Sequence, residues 1–136
     1  MSYTPIDKST NYFNSKLYTG NATGRTISGI GFQPDWVWGK SRTNTENHSA
    51  FDAVRGAGYD IKPDSTNAQA SNTGITAFNS DGYVLGTADS LNSNGQSFVT
   101  WNWAAAGTPG STVGTFEYAV PSSYFSLNAK NLAEYG

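Results

Sequence analysis

The residues best suited to chemistry lie around the single histidine of the chain, in the stretch NHSAFDAVRG. His48 and Asp52 are of the types that serve as a general base and as the carboxylate that orients it, and a nearby serine would be the nucleophile. The alternative is a structural polar network of Lys40, Arg42, His48, Asp52 and Arg55 that ties a loop to the neighbouring sheet, with Asp52 and Arg55 as a candidate ion pair. Because no nucleophile elbow and no second base accompany the histidine, the sequence favours the structural network.

Other catalytic and ligand-binding patterns are weaker still. The chain has ten acidic residues, but none are paired in a local setting typical of glycosidase carboxylates. The segments NSDG and ADSLNSNG contain oxygen ligands that suit calcium, but Asx turns explain them better than a calcium loop does. The glycines form neither a phosphate-binding loop nor a dinucleotide fingerprint. We therefore predict a protein that is not an enzyme and that has no catalytic, metal or cofactor site.

Four tryptophans occur in two pairs, in GFQPDWVWGKSR and in FVTWNWAAAG. Alternate residues of a strand share a face, so the two members of each pair point the same way. Trp36, Trp38, Trp101 and Trp103 therefore either fill a small β core or form an exposed platform on which a sugar ring stacks. The platform requires the opposite face of the same strands to be the apolar one. That face carries Asp35 as well as Val37, and Phe98, Thr100 and Asn102, so we predict that the four tryptophans are core.

Short aromatic and β-branched segments separated by polar turns predict strands throughout the chain. ITAFNSDGYVLG predicts a hairpin that turns at Ser80-Asp81-Gly82, and LNSNGQSFVTWNW predicts a second one through Asn94-Gly95. Strands at intervals of roughly ten residues predict an all-β fold, a single antiparallel β-sandwich of jelly-roll or lectin-like type with short terminal arms. The predicted boundaries are an N-terminal arm at 1–11, the sandwich at 12–107, and a C-terminal strand and exit arm at 108–136.

Composition limits the classes of partner. The formal net charge is -2 and charged residues make up 13% of the chain, so nucleic acid and membrane surfaces are not expected partners. No apolar run is long enough to span a bilayer, and Met1 to Pro5 lacks signal-peptide character. The chain has no cysteine, which excludes disulfides and thiol catalysis.

Five blocks of sequence carry a family resemblance. They are YFNSKLYTGN, ISGIGFQPDWVWGKSR, HSAFDAVRG, ITAFNSDGYVLGT and FVTWNWAAAG, between Tyr12 and Gly107. In this order they resemble a domain of bacteriophage and cyanophage virion proteins, which occurs in tail-fibre-like and other surface-exposed chains, often beside SPRY-like or concanavalin-like modules. Matches to its usual residues are Trp38, Lys40, Arg42, His48, Asp52, Arg55 and Gly56, whereas Gly39 stands where that domain often has a bulky apolar residue. The resemblance implies a non-enzymatic virion protein, made in the host cytoplasm and displayed on the particle as a capsid decoration or a tail-fibre subunit.

The C-terminal stretch GTFEYAVPSSYFSLNAKNLAEYG contains an apolar alternation. Phe116, Tyr118, Val120 and Phe125 supply it, and we expect them to pair with their own sheet or with a neighbouring subunit, because an exposed apolar strand is an aggregation hazard. The expected partners are other virion proteins and further copies of the chain, with a trimer favoured. The alternative function is a carbohydrate-binding, lectin-like module for host attachment, whose partner would be a host surface glycan.

Overall fold

The chain folds mainly from short strands. The computed structural model describes residues 8–105. The strands are β1 (Phe13–Thr19), β2 (Arg25–Ile27), β3 (Trp36–Ser41), β4 (Ser49–Asp52), β5 (Tyr59–Asp60), β6 (Ala70–Ser71), β7 (Ile75–Asn79), β8 (Gly82–Leu85) and β9 (Ser97–Trp103). A single 3-10 turn at Ser9–Asn11 precedes β1, and the short helix α1 (Asp89–Asn92) precedes β9.

These strands form three antiparallel sheets. Sheet A has the order β1-β9-β3-β4, sheet B the order β2-β8-β7, and sheet C pairs β5 with β6. A backbone bridge between Ala50 and Ile61 joins β4 of sheet A to the segment that follows β5. The predicted all-β antiparallel sandwich is confirmed for the described residues. The predicted C-terminal strand with Phe116, Tyr118, Val120 and Phe125 lies outside them, as does most of the predicted N-terminal arm.

The core lies between sheets A and B. Its buried side chains are Ile27, Ile30, Val37, Phe51, Ile75, Tyr83, Leu85, Leu91 and Phe98. Full burial of such an aliphatic or aromatic side chain stabilises the fold by about 1.5–3 kcal/mol. The hydroxyl groups of Tyr83 in sheet B and Thr100 in sheet A lie 2.7 Å apart in this core, so each polar group has a hydrogen-bond partner.

The two predicted hairpins have different outcomes. β7 and β8 pair antiparallel on either side of Ser80-Asp81, as predicted. Gly82 is required at the start of β8, because a Cβ there would lie 2.0 Å from the Ile27 carbonyl oxygen. The prediction of a second hairpin through Asn94-Gly95 is wrong. The residues before this turn form the helix α1, and β9 pairs instead with β1 and with β3.

The side chain of Asn92 stabilises α1 at the position where the hairpin strand was predicted. Its amide group donates to the carbonyls of Thr23 and Gly86, and its oxygen accepts from the amide of Asn21. This buried residue, with its three backbone partners, holds α1 against the β1–β2 loop. Both edges of β9 are occupied by β1 and β3, so the residues before Asn94-Gly95 do not pair with it.

Candidate binding surface

The tryptophans lie on the outer face of sheet A. In β3 the exposure alternates from Trp36 to Ser41, with Val37, Gly39 and Ser41 buried and the residues between them only half-buried. In β9 the same alternation buries Phe98, Thr100 and Asn102 and leaves the intervening positions half-buried. The buried set faces sheet B, so the other set faces away from the core.

The strand register gathers these side chains into three rows. Residues directly opposite each other in neighbouring strands share a face. The rows are Phe13–Trp103–Trp36, Ser15–Trp101–Trp38 and Leu17–Val99–Lys40. We call the apolar members, Phe13, Leu17, Trp36, Trp38, Val99, Trp101 and Trp103, the aromatic face.

Rings of the aromatic face pack against each other. The centroids of Phe13 and Trp103 are 5.0 Å apart with tilted planes, and those of Trp38 and Trp101 are 6.1 Å apart in an edge-to-face arrangement. Such pairs contribute about 0.5–1.5 kcal/mol beyond burial. Phe13 nevertheless keeps 38% of its surface exposed and Leu17 keeps 61%. Phe13 and Leu17 are therefore the exposed members of an apolar outer face whose tryptophans are half-buried.

The prediction that Trp36, Trp38, Trp101 and Trp103 form the core is therefore wrong. The face that is buried in the structure is the opposite one, which contains Thr100 and Asn102 and whose polarity had argued against burial. Both residues are fully buried. The Thr100 hydroxyl pairs with that of Tyr83, and the Asn102 amide group donates to the Asn14 carbonyl over 3.0 Å, while Oδ1 of Asn102 has no hydrogen-bond partner among the described residues. Hydrogen-bonded polar groups can be buried at low cost, so the polar positions belong inside and the indoles outside.

His48 lies beside the aromatic face. The indole N–H of Trp38 donates to Nδ1 of His48 over 2.9 Å, and the two rings are 5.7 Å apart. Because Nδ1 accepts, the neutral imidazole carries its proton on Nε2. The backbone amide of His48 donates to Asp64. His48 thus orients an indole of the surface, and its hydrogen bond goes to Trp38 rather than to Asp52.

Asp52 and Arg55 form an ion pair at the end of the first row. Arg55 Nε lies 2.5 Å from Asp52 Oδ2, and the Arg55 amide donates to Oδ1 over 2.8 Å. The guanidinium also donates to the Ala50 carbonyl and to Gln69. These bonds hold the turn after β4 against the sheet, so both side chains are engaged within the domain.

The remaining members of the predicted polar network lie apart from this pair. Lys40 ends the third row, and its ammonium donates to the carbonyls of Ser41 and Asn44. Arg42 is exposed, and its backbone amide donates to Ser97. The structure therefore divides Lys40, Arg42, His48, Asp52 and Arg55 into separate local contacts instead of joining them in one network.

A carboxylate that sequence reasoning did not single out fixes a loop. Asp81 Oδ2 accepts from the amide of Gly29 at 2.9 Å, and Oδ1 accepts from Gly31 at 2.7 Å. These backbone hydrogen bonds to Gly29 and Gly31 lower the pKa of Asp81 below its ordinary value. The signal in the sequence was the Asp-Gly of the hairpin, which identified the turn but not its second role.

Further candidate sites are few within residues 8–105. A shallow surface depression is lined by Pro63, Asp64, Ser65 and Thr66. Groups of three or more His, Cys, Asp or Glu side chains that would suit a metal ion do not occur among these residues. No helix in the described part of the chain is both long and apolar enough to cross a membrane.

Comparison with known families identifies a domain family that covers most of the chain. The family model described as "Domain of unknown function (DUF7483)" matches residues 8–128. The match spans all the described residues and continues beyond Ala105, into the segment that was predicted to be a separate strand and exit arm. No curated protein and no solved structure matches the chain.

Proposed function

The chain belongs to the DUF7483 family, and we propose that it is a non-enzymatic structural module that assembles with other proteins through its aromatic face. The observation that carries this proposal is the set of five aromatic rings, from Phe13, Trp36, Trp38, Trp101 and Trp103, on the solvent side of sheet A. Tryptophan and other aromatic residues are enriched in the energetic centres of protein interfaces. Contiguous exposed apolar patches on a small domain mark such contacts.

The state of the polar groups around the aromatic face supports a protein partner. Asp35 accepts from the Ala105 amide, Asp52 binds Arg55, and Lys40 donates to two carbonyls of its own loop. A sugar is recognised by donors and acceptors that are free to bond its hydroxyl groups. Here the nearby charged groups are already engaged, whereas the apolar area remains available.

The resemblance to phage virion domains supplies the biological setting of the proposal. A module on the exterior of a particle is present in many copies, so contacts between copies and with neighbouring virion proteins are its main interactions. We infer a capsid decoration or an appendage subunit, most simply a homo-oligomer such as a trimer.

Glycan binding is the second candidate function. It is favoured by the second row of the aromatic face, in which Ser15 lies opposite Trp101 and Trp101 lies opposite Trp38, so that a hydroxyl group shares a row with two indoles. The Nε2 proton of His48 and the third ammonium proton of Lys40 would add donors at the margin. A host surface glycan would then stack on the aromatic face.

Co-sedimentation with particles stripped of accessory proteins tests the assignment. We compare the wild type with Phe13→Ser/Leu17→Ser, which removes the two most exposed side chains of the aromatic face, and with Tyr59→Ser. Tyr59 is a matched control because it is 43% exposed but lies in sheet C. We expect the double variant to lose at least about tenfold in particle affinity, or about 1.4 kcal/mol, and the control to bind as the wild type does.

A glycan array run with the same three proteins separates the candidates. Saccharide binding that the double variant loses, without particle binding, would overturn the assembly proposal in favour of the glycan function. Particle binding that is equal in all three proteins would mean that the aromatic face is not the contact.

A further inference from the structure

β1 is an edge strand of sheet A, and its outer edge has no partner strand within residues 8–105. On its inner edge, the Ala104 amide donates to the Tyr12 carbonyl and the Gly20 amide donates to Gln96. Bonded and non-bonded pairs alternate along an antiparallel ladder. The backbone groups of Asn14, Lys16 and Tyr18 are therefore directed to β9.

The intervening residues direct their backbone groups away from β9. They are Phe13, Ser15, Leu17 and Thr19, whose side chains lie on the outer face of the sheet. Of these, Thr19 has a described partner, since its carbonyl accepts from Arg25. The amides and carbonyls of Phe13, Ser15 and Leu17 form a row of three donors and three acceptors along the open edge.

This edge lacks the usual protection against pairing. Edge strands are normally short, bulged or interrupted by proline or charge. β1 has seven residues in continuous register, and its one charged residue, Lys16, extends its ammonium toward Gly29 and the charge of Asp81. The other edges differ: β2 has three residues, β7 is bulged, and β4 is bridged to Ile61.

We propose that the open edge of β1 pairs with the C-terminal apolar segment of the same chain, around residues 115–121. The family match extends to residue 128, so this segment belongs to the family's domain. It alternates apolar side chains at Phe116, Tyr118 and Val120, with Pro121 at its end. In a strand these three residues share a face and continue the rows that contain Phe13 and Leu17.

The position of the chain exit makes this pairing reachable. β9 ends beside the start of β1, since Trp103 pairs with Phe13, and the amide of Ala105 donates over 2.8 Å to Asp35 on the β3 side of β9. A strand on the far side of β1 is about 10 Å from β9, whereas the ten residues 106–115 can extend over about 33 Å. The segment would cross the end of β1 and run parallel to it.

The tether favours the chain's own segment over that of another copy. A short flexible connection gives an effective concentration in the millimolar range, which exceeds ordinary solution concentrations of a second chain. The pairing uses backbone groups at the edge of sheet A, so it does not depend on what the aromatic face binds, although the added strand would extend that face beside Phe13 and Leu17.

Amide hydrogen exchange, followed residue by residue in the full-length protein by NMR, tests the pairing. We expect the backbone amides of Ser15 and Leu17 to exchange as slowly as those of Asn14 and Lys16. The latter two amides face β9 and serve as internal references. Ala119→Pro removes a backbone donor that faces β1, because in a parallel pair the residues between Phe116, Tyr118 and Val120 direct their amides to β1. It should accelerate the exchange of the Ser15 and Leu17 amides by at least about 100-fold and leave the exchange of the reference amides unchanged. Ala133→Pro, beyond the family match, is the control and should change neither pair.

Disulfide trapping distinguishes the source of the strand. The chain contains no cysteine, so Ser15→Cys can be combined in turn with Phe116→Cys, Tyr118→Cys or Val120→Cys. We expect one of these pairs to oxidise within a monomer, whereas Thr26→Cys on β2 with the same partners should not. Cross-linked dimers would overturn the proposal in favour of a second copy. Fast wild-type exchange of Ser15 and Leu17 would overturn it altogether.

Discussion

Asp81 accepts hydrogen bonds from the amides of Gly29 and Gly31, and the fully buried Ile30 lies between those two glycines. Gly29 and Gly31 adopt φ angles of 77° and 93°, which side chains other than glycine rarely adopt. A single carboxylate in the β7–β8 turn therefore fixes the loop that delivers a core residue. Asn92 acts in the same way on α1. Polar side chains in this domain mainly hold backbone segments in place.

Asp81→Asn should lower the thermal stability of the protein at pH 7, because an amide replaces one acceptor oxygen with a donor that opposes a glycine N–H. The pKa of Asp81 is lowered in the folded state, so its contribution is present above the unfolded value near 3.8 and is lost as pH falls below that value. We expect the difference in melting temperature between the variant and the wild type to narrow below about pH 4.

Thermal unfolding of both proteins between pH 2.5 and pH 7 measures this effect. Asp89→Asn is the control, since Asp89 is also exposed but has no hydrogen-bond partner among the described residues. A gap in melting temperature that stays constant across this range would show that the carboxylate charge does not contribute.

The strands themselves could be predicted from local sequence, but the face that each one buries could not. The β7–β8 hairpin followed from Asp81-Gly82, because turn chemistry is local. For β3 and β9 the predicted alternation of the two faces is confirmed, but the face that was predicted to be buried, with the tryptophans, is the outer one. The deciding contacts join Thr100 to Tyr83 and Asn102 to Asn14, which are distant in sequence. The aromatic face could therefore not be located before the sheets were assembled.

Gly39 illustrates how closely α1 packs on sheet A. A Cβ at this position would lie 2.3 Å from Leu91 Cδ2 and 3.3 Å from the Thr100 methyl group. Gly39→Ala should therefore destabilise the domain by about 1–3 kcal/mol through overpacking. Combining it with Leu91→Ala should cost less than the sum of the two single changes, because the second change removes the group that clashes.

Denaturant unfolding of the four proteins of this double-mutant cycle gives the coupling energy. Gly24→Ala is the control, since its Cβ would meet the Leu85 carbonyl oxygen at an ordinary 3.4 Å. It should be neutral or slightly stabilising, because alanine reduces the entropy of the unfolded chain. Additive effects of Gly39→Ala and Leu91→Ala would contradict the direct packing of Leu91 on Gly39.

As a whole molecule, the domain is a sandwich with one face of sheet A left apolar. Sheet B covers the inner face of sheet A, and the outer face displays the tryptophans, Phe13 and Leu17. Composition predicted the all-β class of the described residues. The identity of the partner is not encoded in any local motif, because an apolar contact surface is defined by the spatial arrangement of rings from three strands.

The mass of the purified protein in solution, measured by light scattering across a range of concentrations, tests the assembly claim most directly. The aromatic face as a self-association surface predicts an oligomer, with a trimer favoured, for the wild type and for Tyr59→Ser. It predicts a shift toward monomer for Phe13→Ser/Leu17→Ser. A wild type that stays monomeric at every concentration, or a double variant with an unchanged oligomeric mass, would contradict self-association through this face.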